Sequence, residues 1–259
     1  MRMMKKVLGT VTVLALSVSL LAGCGSTAVS PVSSTASTVA ESTTSSVVSE
    51  TTSAAADENA AAAAQLLNDL TGSYQELWPV ILADEYKQTW LDDCTALVGE
   101  DNAEAAFEKL SSMVTGDVYG EDAVKAYANG GGAYFCGFTN SLATLTFDGE
   151  TSTISGTDKD GNELFSHTYH YIGMEPVRGL YEFQSDDADS GEFTYFFLAP
   201  DTSAETYHIE FRYGSDAEAL SQYDTGEYAY WLASGISTDC DQTMIDNCIE
   251  LFCTENLAG

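Results

Sequence analysis

From residue 133 onward the chain alternates apolar and polar residues with a period of two, in short runs broken by turn signals. The runs are Ala133–Cys136, Leu142–Phe147, Ser152–Ser155, Glu163–Ile172, Gly179–Phe183, Phe193–Leu198 and Thr206–Tyr213. Between them lie Asp148-Gly149, Asp160-Gly161, the stretch Asp186–Gly191 and Ala199-Pro200-Asp201, which are turn formers. Short, evenly spaced strands joined by hairpins predict an antiparallel barrel or sandwich.

Helical patterns flank these strands. Ala60–Leu70 is Ala-rich, with Leu66, Leu67 and Leu70 on one face, and stops at Gly72. Tyr74–Leu82, interrupted by Pro79, reads as a short helix. Asp101-Asn102-Ala103-Glu104 resembles a capping box opening a helix to about Met113, and Glu121–Asn129 reads as another, ended by Gly130-Gly131-Gly132. Ser215–Ser221 and Gln242–Thr254 return to helix. The expected class is α+β: an antiparallel barrel with amino-terminal helices and a carboxyl-terminal helix.

The amino terminus has a different character. Arg2, Lys5 and Lys6 precede an apolar run, Val7–Leu20, too short for a stable membrane span. The run ends in Leu21-Ala22-Gly23-Cys24, which looks like a bacterial lipoprotein signal, so residues 1–24 read as a signal peptide with Cys24 as the lipidated residue. Residues 25–59, almost all Ser, Thr, Ala, Val and Glu, read as a disordered tether. As a coil it would span roughly 30–35 Å. Residues 60–259 form the folded domain. The expected location is extracytoplasmic, anchored to the cell membrane by lipid.

Charge narrows the partners. After the signal, six basic side chains remain against 40 acidic ones, a net charge near −34. No basic stripe exists for phosphate, which argues against nucleic acid. An acidic surface attracts cations instead. Five cysteines follow Cys24: Cys94, Cys136, Cys240, Cys248 and Cys253. Their spacing fits no zinc knuckle, and the odd count leaves at least one thiol free or paired between molecules. They are expected as buried free thiols. No Gly-x-Ser-x-Gly, His-Glu-x-x-His or nucleotide motif occurs, so an enzyme is not expected. Asp158–Glu163 lacks the spacing of a calcium loop and reads as an Asp-Gly hairpin.

Several stretches together resemble one family. They are Leu70–Pro79, Phe165–Gly173, Val177–Phe183, and Gly191–Tyr195 continuing through Ala199-Pro200 to Tyr207-His208-Ile209-Glu210-Phe211. Gly214 and Asp216–Leu220 follow in order. This succession is similar to the ZinT/AdcA-type (YodA-like) zinc-binding domain, with extra sequence between Thr89 and Gly132. The resemblance implies a calycin-like (lipocalin-like) barrel that binds zinc outside the cytoplasm and aids a metal-uptake transporter.

The implied zinc site is a set of three histidines, one before an Ala-Pro turn and two as His-x-His on the next strand. His208 matches the second of that pair; the first falls on Thr206, and Tyr195–Ala199 contains no histidine. A replacement set would be His208 with His167, Glu210 and Glu205, since His₂-carboxylate donors suit zinc. His167 and His170 are three apart on a strand and so face opposite sides; the resemblance sets His167 nearer an apolar family position, which makes it the inward candidate. The other reading keeps His208 as a hydrogen-bonded barrel residue. The domain would then be a calycin-like binding module without the zinc site, holding a small apolar ligand or a protein partner. Convergence of His167 and His208 would favour metal; divergence beside an aromatic cavity would favour the alternative.

Overall fold

The computed structural model describes residues 46–116, 118–131, 133–200 and 208–258, with side chains from Glu58 onward. Cys24 and most of the segments read from sequence as signal and tether lie outside the described residues. Eight strands run in chain order: β1 (Gly72–Glu76), β2 (Thr144–Asp148), β3 (Thr153–Thr157), β4 (Glu163–Met174), β5 (Tyr181–Ser185), β6 (Tyr195–Leu198), β7 (Ile209–Gly214) and β8 (Ala233–Ser237). Each pairs antiparallel with its neighbour, and β8 closes onto β1 through Tyr74↔Ser237 and Glu76↔Gly235. Closure leaves no free sheet edge.

The turns are built as their residues dictate. The Asp148 carboxylate accepts from the Glu150 and Thr151 amides. Asp158 accepts from the amides of Asp160 and Asn162 and from the Asn162 side chain. These bonds favour the charged form and pull the Asp158 carboxyl below its ordinary range. The hairpin reading of this segment holds.

Alternation along the strands sends one side-chain row inward. Phe165 and Tyr169 on β4, Phe183 on β5, Phe196 on β6 and Phe211 and Tyr213 on β7 are all buried in one cluster. Their rings pack at centroid distances such as 5.4 Å for Phe196–Tyr213 and 5.3 Å for Phe138–Phe211. The barrel interior is therefore filled by aromatic side chains. Each buried ring of this kind contributes roughly 1.5–3 kcal/mol through burial.

Helix α1 (Ser46–Asp69) lays Ala63, Leu66, Leu67 and Leu70 against this barrel core. It begins upstream of Ala60, within the segment read as tether. A second apolar layer covers the outside of β8, where Ile236 joins it. It is built by α2 (Leu77–Ile81), α3 (Lys87–Val98), α4 (Glu100–Val114) and α7 (Gln242–Leu257), whose buried residues include Trp78, Trp90, Leu110 and Ile249. Helices α5 (Glu121–Ala128) and α6 (Ala217–Leu220) are shorter. Asp216 and Asp241 cap α6 and α7 by accepting from backbone amides.

Some segments differ from the sequence expectation. Gly72–Glu76 is a strand, and the helix after it starts only at Leu77. The barrel needs that strand to join β2 to β8. The Asp101 capping box is not used: α4 starts at Glu100 with no side-chain cap. Ala133–Cys136 forms no strand of the barrel and makes only isolated bridges from Phe135 to Thr115 and Trp231.

Candidate functional site

Strand β7 divides its side chains between the two layers. Ile209, Phe211 and Tyr213 enter the barrel core, so Glu210 and Arg212 project outward. His208, just before the strand, sits on the outer side with Glu210. There the imidazole lies beside the Glu210 carboxylate and the Cys248 thiol of α7. His208 Nε2 and Glu210 Oε1 are 3.9 Å apart. The His208 side chain is mostly buried, whereas Glu210 keeps 43% of its side-chain surface open.

Electrostatics follow from this packing. Desolvation alone would lower the His208 pKa, but the Cys248 and Glu210 partners outweigh it and hold the imidazole well above its ordinary range. Burial pushes Glu210 up, yet the neighbouring His208 imidazole and Arg178 leave its carboxyl below the usual range. Each group thus favours the charged form of the other.

Glu210 also lines a cleft of about 170 Å³ between the barrel wall and the outer helices. Trp78, Cys136 and Phe252 contribute to its walls, and Arg178 and Tyr134 stand beside Glu210. Arg178 Nη2 donates to the Tyr134 hydroxyl at 2.9 Å. Burial pushes the Cys136 thiol up to about 12, so it is a thiol rather than a thiolate.

Behind the cleft lies a fully buried guanidinium. Arg212 donates to the backbone carbonyls of Leu220, Gln222 and Tyr228. Its Cζ lies 4.3 Å from the Tyr223 ring centroid, and Arg178 lies 4.5 Å from the same ring. Glu175, also buried, accepts from the Val177 and Arg178 amides at 2.7 and 2.6 Å. Arg212 therefore ties the 215–230 segment to the outer wall of the barrel.

His167 occupies a different place. It lies on the inner face of β4 with Phe165 and Tyr169, and its Nδ1 is 2.8 Å from Asp187 Oδ2. His170 faces the other way and pairs with Asp186 at 2.6 Å. Asp186 and Asp187, in a stretch read from sequence as a turn, each engage one histidine. The structure brings Glu210 to His208 but leaves His167 with Asp187, with β5 and β6 between the two histidine-bearing strands. Glu205 lies outside the described residues. Among the described residues, no group of three or more His, Cys, Asp or Glu side chains is placed to hold a metal ion. None of the described helices is long and apolar enough to cross a membrane.

Sequence reasoning missed Cys248 and Arg178. Cys248 was legible in part. Ile245, Cys248, Ile249 and Cys253 share the buried face of α7, so its inward direction follows from helical periodicity. Which strand α7 covers does not follow from that period.

No protein-family model matches the sequence, and no curated protein matches it. In fold, the structure is similar to the Zn(II)-bound ZinT-like domain of Streptococcus pneumoniae AdcA. The TM-score is 0.45 at 15% identity, over 71% of this chain and 89% of that one. It is also similar to Zn(II)-bound AdcA from Streptococcus pneumoniae, with a TM-score of 0.42 at 14% identity, over 74% of this chain and 35% of that one. Both likenesses are at low identity and concern the fold.

Proposed function

We propose that the chain is a lipid-anchored, extracytoplasmic binding protein for zinc or a related divalent ion, presented to an uptake transporter. The observation that carries this reading is the arrangement around His208: an imidazole 3.9 Å from the Glu210 carboxylate, with the Cys248 thiol beside the ring. Those three donor types suit zinc better than a hard cation such as calcium. Two donors about 2.0–2.2 Å from one tetrahedral zinc lie roughly 3.3–3.5 Å apart, so His208 and Glu210 reach a common ion by a shift of about 0.5 Å. His208 would supply a neutral ring nitrogen, Glu210 an oxygen and Cys248 a thiolate. Glu205, expected from sequence as a further carboxylate donor, would have to join this set from outside the described residues. His167, held by Asp187, is not part of this set. The strongly acidic chain raises the local concentration of cations.

The test is a zinc titration of the chain lacking its first 24 residues, by calorimetry. Saturable binding that His208→Ala weakens at least tenfold supports the site; binding indifferent to that substitution rejects it.

A second reading has its own observation. The histidines diverge, and Arg178 and Glu210 line an otherwise largely apolar cleft. That combination suits a small ligand or a partner side chain with both polar and apolar parts. The filled barrel interior gives no support to a ligand held inside it. Under this reading zinc would not bind, and substitutions at Arg178 or Trp78 would alter ligand capture.

A further inference from the structure

The outer helical layer holds two thiols that face each other across a packed interface. Cys94 on α3 and Cys253 on α7 are both fully buried, and their Sγ atoms are 3.9 Å apart. A disulfide requires about 2.05 Å, so closing it takes a movement of about 1.9 Å, shared between two side-chain rotations and a small approach of the helices. The remaining thiols are placed otherwise: Cys248 lies beside His208, Cys136 faces the cleft, and Cys240 is only half-buried just before α7. We propose that Cys94 and Cys253 are joined by a disulfide in the exported protein, fastening α7 to α3.

The chemistry balances with one named co-reactant. Two S–H bonds break and one S–S bond forms. Two electrons and two protons pass to a disulfide oxidant of the thiol–disulfide oxidoreductase class, which is left as a dithiol. The bond closes a 159-residue loop through most of the folded domain, and a longer loop constrains the unfolded chain more. It also assigns a partner within the odd set of five: two cysteines paired, three as thiols.

Timing follows from burial. Exchange proceeds through a thiolate, and burial pushes both thiols up. The folded, reduced protein is therefore a slow substrate for oxidation. The bond forms while α7 is still undocked, during folding outside the cytoplasm. Once formed, it resists reductant in the native state and yields to it only on unfolding.

The test uses the full-length chain exported by a bacterial host. It is denatured without reductant, alkylated and digested, and the peptides are weighed. The expected result is a Cys94–Cys253 linked peptide, lighter by two hydrogens than the separate thiol peptides, with Cys136, Cys240 and Cys248 alkylated. Alkylation of both Cys94 and Cys253, or linkage of either to another cysteine, overturns the proposal. Cys94→Ala and Cys253→Ala separate a bond from mere packing. Each should lower the thermal midpoint more in the oxidised than in the reduced protein; an equal loss in both states also overturns it.

Discussion

His208 Nε2 stands 3.9 Å from Glu210 Oε1 on the outer wall of a closed barrel, with the Cys248 thiol completing the surroundings of the ring. The arrangement depends on β7 alternating between two cores. Ile209, Phe211 and Tyr213 anchor the strand from inside, which fixes the direction of Glu210 and Arg212 outside. The candidate site is thus a by-product of barrel packing, and its outer cover is supplied by α7.

Arg212 is the residue whose loss should damage that wall most. It is fully buried and satisfies the carbonyls of Leu220, Gln222 and Tyr228. Arg212→Ala leaves those carbonyls unpaired, and the expected cost is about 3–5 kcal/mol in denaturant unfolding. Arg212→Lys should recover little, because an ammonium cannot reach separate carbonyls in a planar fork. A loss below about 1 kcal/mol for Arg212→Ala would show that the segment is held by other contacts.

Gly149 marks where α1 presses on the barrel. A Cβ there would meet the Asn68 Cα at 2.4 Å and its amide nitrogen at 2.6 Å, both backbone atoms with little room to yield. Gly149→Ala should cost about 1–3 kcal/mol and increase hydrogen exchange through the carboxyl-terminal half of α1. Unchanged exchange in α1 would mean that the helix does not seat there.

Asp93 carries a pH dependence opposite to that of a paired carboxylate. Desolvation raises its pKa first, and Glu250, Asp246 and Asp92 add to the rise. One of its oxygens, Oδ2, is buried without a hydrogen-bond partner. Because the folded pKa lies above the unfolded one, the native state favours the protonated form. Stability from this group is present below its unfolded value and is lost as pH rises through the folded value. Asp93→Asn should therefore stabilise the protein at pH 7, by less than about 1 kcal/mol given partial solvent screening, and lose its advantage near pH 3. Thermal midpoints of both proteins across that range decide it; an advantage independent of pH would point to a cause other than ionisation.

Much of the barrel was legible because period two and Asp-Gly turns are local signals. Strands β2 to β7 fall within or beside the runs read from residues 142–213. The two strands that close the barrel were not. Gly72–Glu76 leads into an apolar helical segment, and Ala233–Ser237 reads Ala-Ser-Gly-Ile-Ser, with small residues of low strand preference. Their pairing with each other, Tyr74↔Ser237, is a long-range tertiary fact. At the site, the opposite facing of His167 and His170 followed from strand geometry. The pairing of His208 with Cys248 depends on where α7 docks, which no local pattern encodes. Carboxylates were too numerous in so acidic a chain for Asp186 and Asp187 to stand out as histidine partners.

The central claim concerns metal at His208, and zinc titration of the chain from residue 25 onward tests it most directly. Calorimetry on the parent protein and on His208→Ala, Glu210→Gln and Cys248→Ala should show one saturable zinc site. Each substitution should weaken it, His208→Ala by tenfold or more, equivalent to about 1.4 kcal/mol. Absence of saturable zinc binding in the parent, or binding that survives His208→Ala unchanged, would contradict the account and shift the functional reading to the cleft beside Arg178.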